Sequence, residues 1–187
     1  DGISTTQIDE ISARLAAAKI DHPDYNTLAA RISISNLHKN TPKKFSEAVE
    51  ILHSSEFGQT SVIDDNVMKA VRKNKELLDK TINFENDYLF DFFGLKTLER
   101  SYLLKKMDNN TRTSVIIETP QFMMMRVALG LHNSDGNECV IEAIESYKIF
   151  SDLLFTHASP TLFNSGTKRQ QNSSCFLLSM DDSLENI

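Results

Sequence analysis

The stretch Thr156-His-Ala-Ser-Pro-Thr-Leu-Phe-Asn-Ser-Gly-Thr167, continued by Lys168-Arg-Gln-Gln-Asn-Ser-Ser-Cys-Phe-Leu-Leu-Ser-Met-Asp-Asp182, decides how the rest of the chain is read. Before it, the sequence reads as helix after helix. Within it, small and turn-forming residues cluster, and Ser173-Ser174-Cys175 runs into the apolar Phe176-Leu177-Leu178. Ser159-Pro160 ends the preceding helix, because a residue before proline is pushed out of the helical region. Asn164-Ser165-Gly166 is a turn signal. Residues 174–180, a short apolar run bounded by polar residues, read as a buried strand. A thiol flanked by hydroxyls at a strand mouth is a place where chemistry can sit, although a cysteine entering a strand is more often an inert small hydrophobe.

Working outward, the composition sets bounds. The 187 residues are 40% hydrophobic and 25% charged, ordinary for a globular chain with a real core. A net charge of −6 gives no electrostatic footprint for nucleic acid or anionic lipid, so neither partner is expected. No apolar run approaches the roughly 18 residues of a membrane-spanning helix, and the N-terminus has no signal-peptide pattern. The two cysteines, Cys139 and Cys175, lie far apart. They make no disulfide framework and no zinc site, and they fit a reducing, cytoplasmic compartment. The chain opens on Asp1-Gly2 and stops at Ile187 on what reads as a fresh helix start, as a piece of a longer polypeptide would.

Upstream, Ser4-Thr5-Thr6-Gln7 fits a capping box, with Ile8, Ile11 and Leu15 at helical spacing behind it. A second helix starts at Asp21-His22-Pro23-Asp24 and runs to about His38, with Tyr25, Leu28 and Ile32 as its apolar face. Phe45, Val49 and Leu52 mark a third. Asp64 or Asp65 caps the next, which carries Val67, Val71, Leu77 and Leu78. The aromatic cluster at 84–94 reads as core contact and ends at Gly94. Leu98, Tyr102 and Leu103 continue on a helix to Lys106. Val115-Ile116-Ile117 is too short to assign, a strand being one option. Thr119-Pro120 caps a helix carrying Phe122, Met125 and Leu129, and Met123 to Met125 read as adaptable core filling. A last long helix covers about 138–154, with Val140, Ile144, Tyr147 and Leu154 inward; Cys139 at its start reads as structural.

Few other residues suggest chemistry. His157 precedes a turn and reads as a hydrogen-bonded structural histidine, and the remaining histidines form no ligand spacing. Lys168-Arg169 reads as a solvated loop sooner than a phosphate site. No Walker or Rossmann glycine pattern is present. No base or second thiol lies near Cys175 in sequence, so a Cys–His protease-like site has no support.

Longer stretches carry more. Phe155-Thr-His-Ala-Ser-Pro-Thr-Leu-Phe-Asn164, Ser173-Ser-Cys-Phe-Leu-Leu-Ser-Met180 and Asp182-Ser183 resemble the large, catalytic subunit of class I ribonucleotide reductases of the eukaryotic type. So do Phe93-Gly-Leu-Lys-Thr-Leu-Glu-Arg-Ser-Tyr-Leu-Leu104, Pro120-Gln121, Met125-Arg-Val127, His22-Pro-Asp-Tyr25, Ala29-Ala-Arg-Ile32 and Ser35-Asn-Leu-His-Lys39. The resemblance covers essentially the whole chain. It departs at Phe122, where relatives usually have histidine, at an enlarged 133–138 loop, and in a segment before Asp182 that is one residue shorter.

The resemblance implies a mainly α fragment: a helical N-terminal domain leading into the first strand of a ten-stranded α/β barrel that lies mostly beyond Ile187. It divides the chain into the later part of an ATP-cone at 1–42, a helical domain at 43–169 and the barrel entry at 170–187. It implies reduction of ribonucleoside diphosphates by radical chemistry. Cys175 would be one of two redox-active thiols, and Ser159 and Ser174 substrate contacts. Asp182, Ser183 and Leu184 would begin the site where a deoxynucleoside triphosphate sets specificity. Thr5, Asp9 and Lys39 would contact ATP or dATP at the activity site. The implied partners are a second large subunit, a small subunit whose metal centre supplies the radical, and thioredoxin or glutaredoxin. No cofactor is expected in this chain, and the fragment alone is expected to be inactive. The competing expectation is a non-catalytic helical module for nucleotide-dependent regulation or interaction.

Overall fold

The computed structural model describes residues 2–54, 61–107, 113–132 and 140–179. Helices dominate: α1 (Thr5–Ala17), α2 (Asp24–Asn40), α3 (Phe45–His53), α4 (Asp65–Lys73), α5 (Lys75–Thr81), α6 (Phe92–Ser101), α7 (Pro120–His132), α8 (Val140–Ser151) and α9 (Ser159–Asn164). A 3-10 turn, Phe84–Leu89, precedes α6. One antiparallel hairpin joins β1 (Lys105–Met107) to β2 (Ser114–Ile116), with Lys106 opposite Val115.

Local chemistry starts these elements. The Ser4 hydroxyl accepts from the Gln7 amide at 3.2 Å while the Ser4 amide donates to the Gln7 side chain at 3.0 Å, the reciprocal capping box read from sequence. The Asp64 carboxylate takes the Asn66 and Val67 amides at the head of α4. Thr119 Oγ1 accepts from the Phe122 amide at the head of α7. Gly94 does not end an element, as its type suggested. It sits in the first turn of α6, where its amide donates to Asp91 at 2.6 Å. A Cβ there would lie 2.9 Å from that carboxylate oxygen, so glycine makes room for the cap.

The core is built around α7. Residues 120–130 are all buried, so this helix is covered on every side. Phe122 meets Phe45 and Phe84 edge to face at 5.8 and 5.5 Å. Met123, Met124 and Met125 fill the core, and α2 contributes Ala30, Ile34 and Leu37 to the same cluster.

Several sequence expectations fail for physical reasons. On α2 the buried face is Ala29, Ala30, Ser33, Ile34 and Leu37, offset from the expected one, and Leu28 is exposed. On α1, Ile8, Ile11 and Leu15 face outward while Ala13 and Ala16 are buried: small side chains let two helices approach closely, and the larger ones are turned away. The expected helix through Lys106 stops at Ser101. The Leu104 amide is taken by the Glu118 side chain and the Leu104 carbonyl by the Ile117 amide, which turns the chain into β1. The long helix stops at Ser151, and Leu154 is exposed. Ser159-Pro160 then opens a helix instead of closing one, since proline in a first turn sacrifices no hydrogen bond. Finally, residues 174–179 form no strand and are exposed. No strand lies beside them among the described residues to complete a ladder. Among those residues no helix is long and apolar enough to cross a membrane.

Candidate functional site

The stretch that opened the sequence reading is held by one buried ion pair. Arg126, from the middle of α7, is fully buried and meets Glu118 through Nε–Oε1 at 2.6 Å and Nη2–Oε2 at 3.2 Å. Its guanidinium also donates to the carbonyls of Leu162 at 3.1 Å and Ser165 at 2.6 Å, at the end of α9. Glu118 Oε2 in turn accepts from the Leu104 amide at 2.9 Å. The pair thus uses its spare donors and acceptors on backbone, which is what makes a buried charge tolerable.

Backbone contact completes the clamp. A Cβ at Gly130 would lie 2.0 Å from the Gly166 nitrogen, and Gly166 itself has φ +77°. The turn that follows pairs with residues 62–64: the Asp64 amide donates to the Gly166 carbonyl and the Lys168 amide to the Val62 carbonyl. A cleft of about 660 Å³ opens beside it, bordered by Val62, Leu104, Phe163, Asn164, Lys168 and Arg169. Lys168 is not a free cation, for its ammonium lies 3.5 Å from Asp65. Hydrogen bonding from His53, then the charge of Lys168, hold the Asp65 carboxyl below its ordinary value.

Ser159 is the first residue of α9, and its hydroxyl lies 2.9 Å from the Tyr102 hydroxyl. Thr161 Oγ1 donates to the Asn172 carbonyl and the Asn164 side chain to the Gln171 carbonyl, which fastens the chain up to Asn172. Beyond that, Ser174 and Cys175 are exposed, with the serine hydroxyl 4.0 Å from the sulfur. The three residues expected to meet substrate therefore share one strip of chain but converge on no closed pocket among the described residues. His157 is wedged edge-on against Phe150 and Phe155, and burial holds its pKa below the ordinary value.

At the other end of the molecule, Asp9 and Lys39 are brought together at 3.0 Å, although thirty positions separate them. Thr5 lies one helical turn before Asp9 and is exposed. Below this corner His38 Nε2 meets Asp87 Oδ2 at 2.7 Å, and Asp87 Oδ1 accepts the Gln121 amide at 3.1 Å. Asp87 is fully buried, and that burial outweighs its hydrogen bonds and pushes its carboxyl pKa up. Asp182, Ser183 and Leu184 lie outside the described residues, as does Cys139. No group of three His, Cys, Asp or Glu side chains suited to a metal occurs among the described residues.

Sequence reasoning missed Tyr102, Glu118 and Arg126 as parts of this arrangement. A signal existed for one of them: Arg126 is a lone charge inside the apolar run 122–129, and such a charge needs a buried partner.

Comparison with known proteins supplies a family. The family described as ribonucleotide reductase, all-alpha domain, matches residues 88–170, the segment from the 3-10 turn through the clamp. Residues 88–170 thus carry the all-alpha domain of the ribonucleotide reductases. Over its whole length it is 47% identical to the ribonucleoside-diphosphate reductase large subunit of Arabidopsis thaliana, covering 22% of that protein. It is 49% identical to that of Vaccinia virus (strain Copenhagen), covering 24%, and 47% identical to the large chain of Schizosaccharomyces pombe, covering 22%. The chain belongs to the large-subunit family of ribonucleoside-diphosphate reductases and corresponds to the N-terminal part of these relatives, spanning under a quarter of their length.

Proposed function

We propose that this chain is the N-terminal part of a large subunit that reduces ribonucleoside diphosphates to deoxyribonucleoside diphosphates for DNA synthesis. The observation that carries this reading is the near-half identity over the entire chain. Loss of the 2′-hydroxyl as water requires two electrons. Two thiols supply them by becoming a disulfide, and thiol exchange with thioredoxin or glutaredoxin restores them. Cys175 is one of the two thiols in this reading. Its exposed, unpaired sulfur in the strip beyond Asn172 is free to meet a second thiol. Ser159 and Ser174 hold the substrate.

The remaining roles follow the same reading. The helical body at 43–169 carries residues 170–187 into a catalytic barrel. The radical comes from a metal-containing small subunit, and two large subunits pair. Asp182, Ser183 and Leu184 border an effector site for deoxynucleoside triphosphates. Thr5, Asp9 and Lys39 face ATP or dATP on the cone remnant at 1–42. The ammonium of Lys39 supports an anionic ligand, but a nucleotide must compete with Asp9 for it. The cell compartment is the cytoplasm.

A graft tests the reading. Residues 1–187 replace the matching part of the Schizosaccharomyces pombe large chain, and the enzyme is assayed with that organism's small subunit and a thioredoxin. Turnover of CDP to dCDP is expected, with Cys175→Ser reducing it to background; full activity in that variant would overturn the proposal. The 187-residue chain alone is expected to show no turnover. Titration of that chain with ATP and dATP separates a nucleotide-binding regulatory module, which binds, from a piece whose only task is structural.

A further inference from the structure

Tyr102 addresses two positions on one face of α9. Its ring stacks on Phe163 with centroids 4.6 Å apart and planes at 26°, and its hydroxyl reaches Ser159 at 2.9 Å. Ser159 and Phe163 are four residues apart, so they lie one above the other along the helix. A phenol spans about one helical turn of 5.4 Å, which is what these two contacts require. The tyrosine is itself fixed. Its amide closes α6 by donating to the Leu98 carbonyl, and two residues later the Leu104 amide is held by Glu118. Arg126, the partner of Glu118, holds the Leu162 and Ser165 carbonyls at the C-terminal end of α9. One buried ion pair therefore sets both the tyrosine and the helix it touches.

We propose that Tyr102 is a positioning residue for Ser159, with its O–H donating to the serine oxygen so that the serine proton is turned outward to an anionic oxygen of the substrate. The inference rests on the reading of Ser159 as a substrate contact. A phenol is the stronger acid of the two hydroxyls and the better donor. A serine hydroxyl that accepts one bond becomes a stronger donor for the next. Without the phenol, the serine rotor is free to turn its proton elsewhere, and the bond to substrate is made only part of the time.

The graft enzyme gives the test, with the ribonucleoside diphosphate CDP as substrate. Tyr102→Phe keeps the stack on Phe163 and removes only the hydroxyl. It is expected to raise KM for CDP by about three- to tenfold, the worth of one hydrogen bond, with kcat and melting temperature unchanged. In a Ser159→Ala background the same substitution is expected to add nothing. An unchanged KM in Tyr102→Phe, beside a raised KM in Ser159→Ala, overturns the proposal. So does a pair of effects that multiply in the double variant. If the graft is active and Ser159→Ala leaves KM unchanged, the positioning role falls while the reductase reading stands. If the graft is inactive where the yeast segment is active, the reductase reading falls and this inference with it.

Discussion

Two apolar runs in this chain look alike on paper and meet opposite fates. Residues 122–129, Phe-Met-Met-Met-Arg-Val-Ala-Leu, are buried without exception. Residues 176–178, Phe-Leu-Leu, are exposed, Leu177 completely. Hydrophobicity states only that a segment gains by leaving water. Whether it does so depends on a surface to cover it. For α7 that surface lies within the described chain, on α4, α8, α9 and the 3-10 turn. For 176–178 no such surface is present among the described residues. The charge in the first run sharpens the contrast, since Arg126 is more deeply buried than most of the chain's leucines.

The comparison can be broken at its strongest point first. Arg126→Ala strands Glu118 in the core and is expected to cost about 3–5 kcal/mol, measured by urea unfolding of the chain. Replacing the pair together, Glu118→Leu with Arg126→Met, is expected to cost clearly less, because no lone charge remains. A loss under about 1 kcal/mol in Arg126→Ala would show that the clamp holds little.

Next comes the direct contrast between the runs. Leu129→Ala is expected to destabilise by about 2–5 kcal/mol, and Leu177→Ser to change stability by no more than about 0.5 kcal/mol. Equal losses would mean that the second run has a cover of its own.

Asp87 offers a pH test. Burial raises its carboxyl pKa above the ordinary 3.8. The folded state then holds a proton that the unfolded state has released, so this group's contribution is full below 3.8 and is lost as pH rises through the raised pKa. The urea midpoint of the wild type minus that of Asp87→Asn is expected to fall over that interval. A difference that rises instead would place the His38 bond above burial in importance.

A small effect is also expected at the exposed counterpart of the buried pair. Lys39→Ala breaks the bond to Asp9 and is expected to cost at most about 1 kcal/mol. That loss should vanish in about 1 M salt, where screening is nearly complete. A loss that survives salt would make this corner more than a surface ion pair.

The sequence made the caps legible, because a cap is a matter of three or four neighbouring residues: Ser4 with Gln7, Asp64, and Thr119 before Pro120 all do what their spacing implies. The core face of α3 was legible too, through Phe45, Val49 and Leu52, whereas α7, read with one apolar face, is buried all round. What failed was decided across long separations. The turn into β1 depends on Glu118 reaching back to Leu104, and the exposed face of α1 depends on α2 preferring alanine at its surface. The site divides the same way. Cys175 with its flanking serines could be singled out by its stretch alone, whereas Ser159 became a candidate only through the family resemblance. Tyr102 becomes visible only when the fold sets α6 beside α9.

The hydrogen bond from Thr161 to the Asn172 carbonyl has a further consequence, one of reach. It is the last fastening of this strip to the body among the described residues. Cys175 follows three residues later, so its sulfur hangs on a leash of roughly 10 Å. A disulfide needs its two Cα atoms within about 7 Å of one another. In the proposed reading of Cys175 as one of two redox thiols, its partner is delivered to the neighbourhood of α9, and the length of that leash bounds how far the chain can go to meet it.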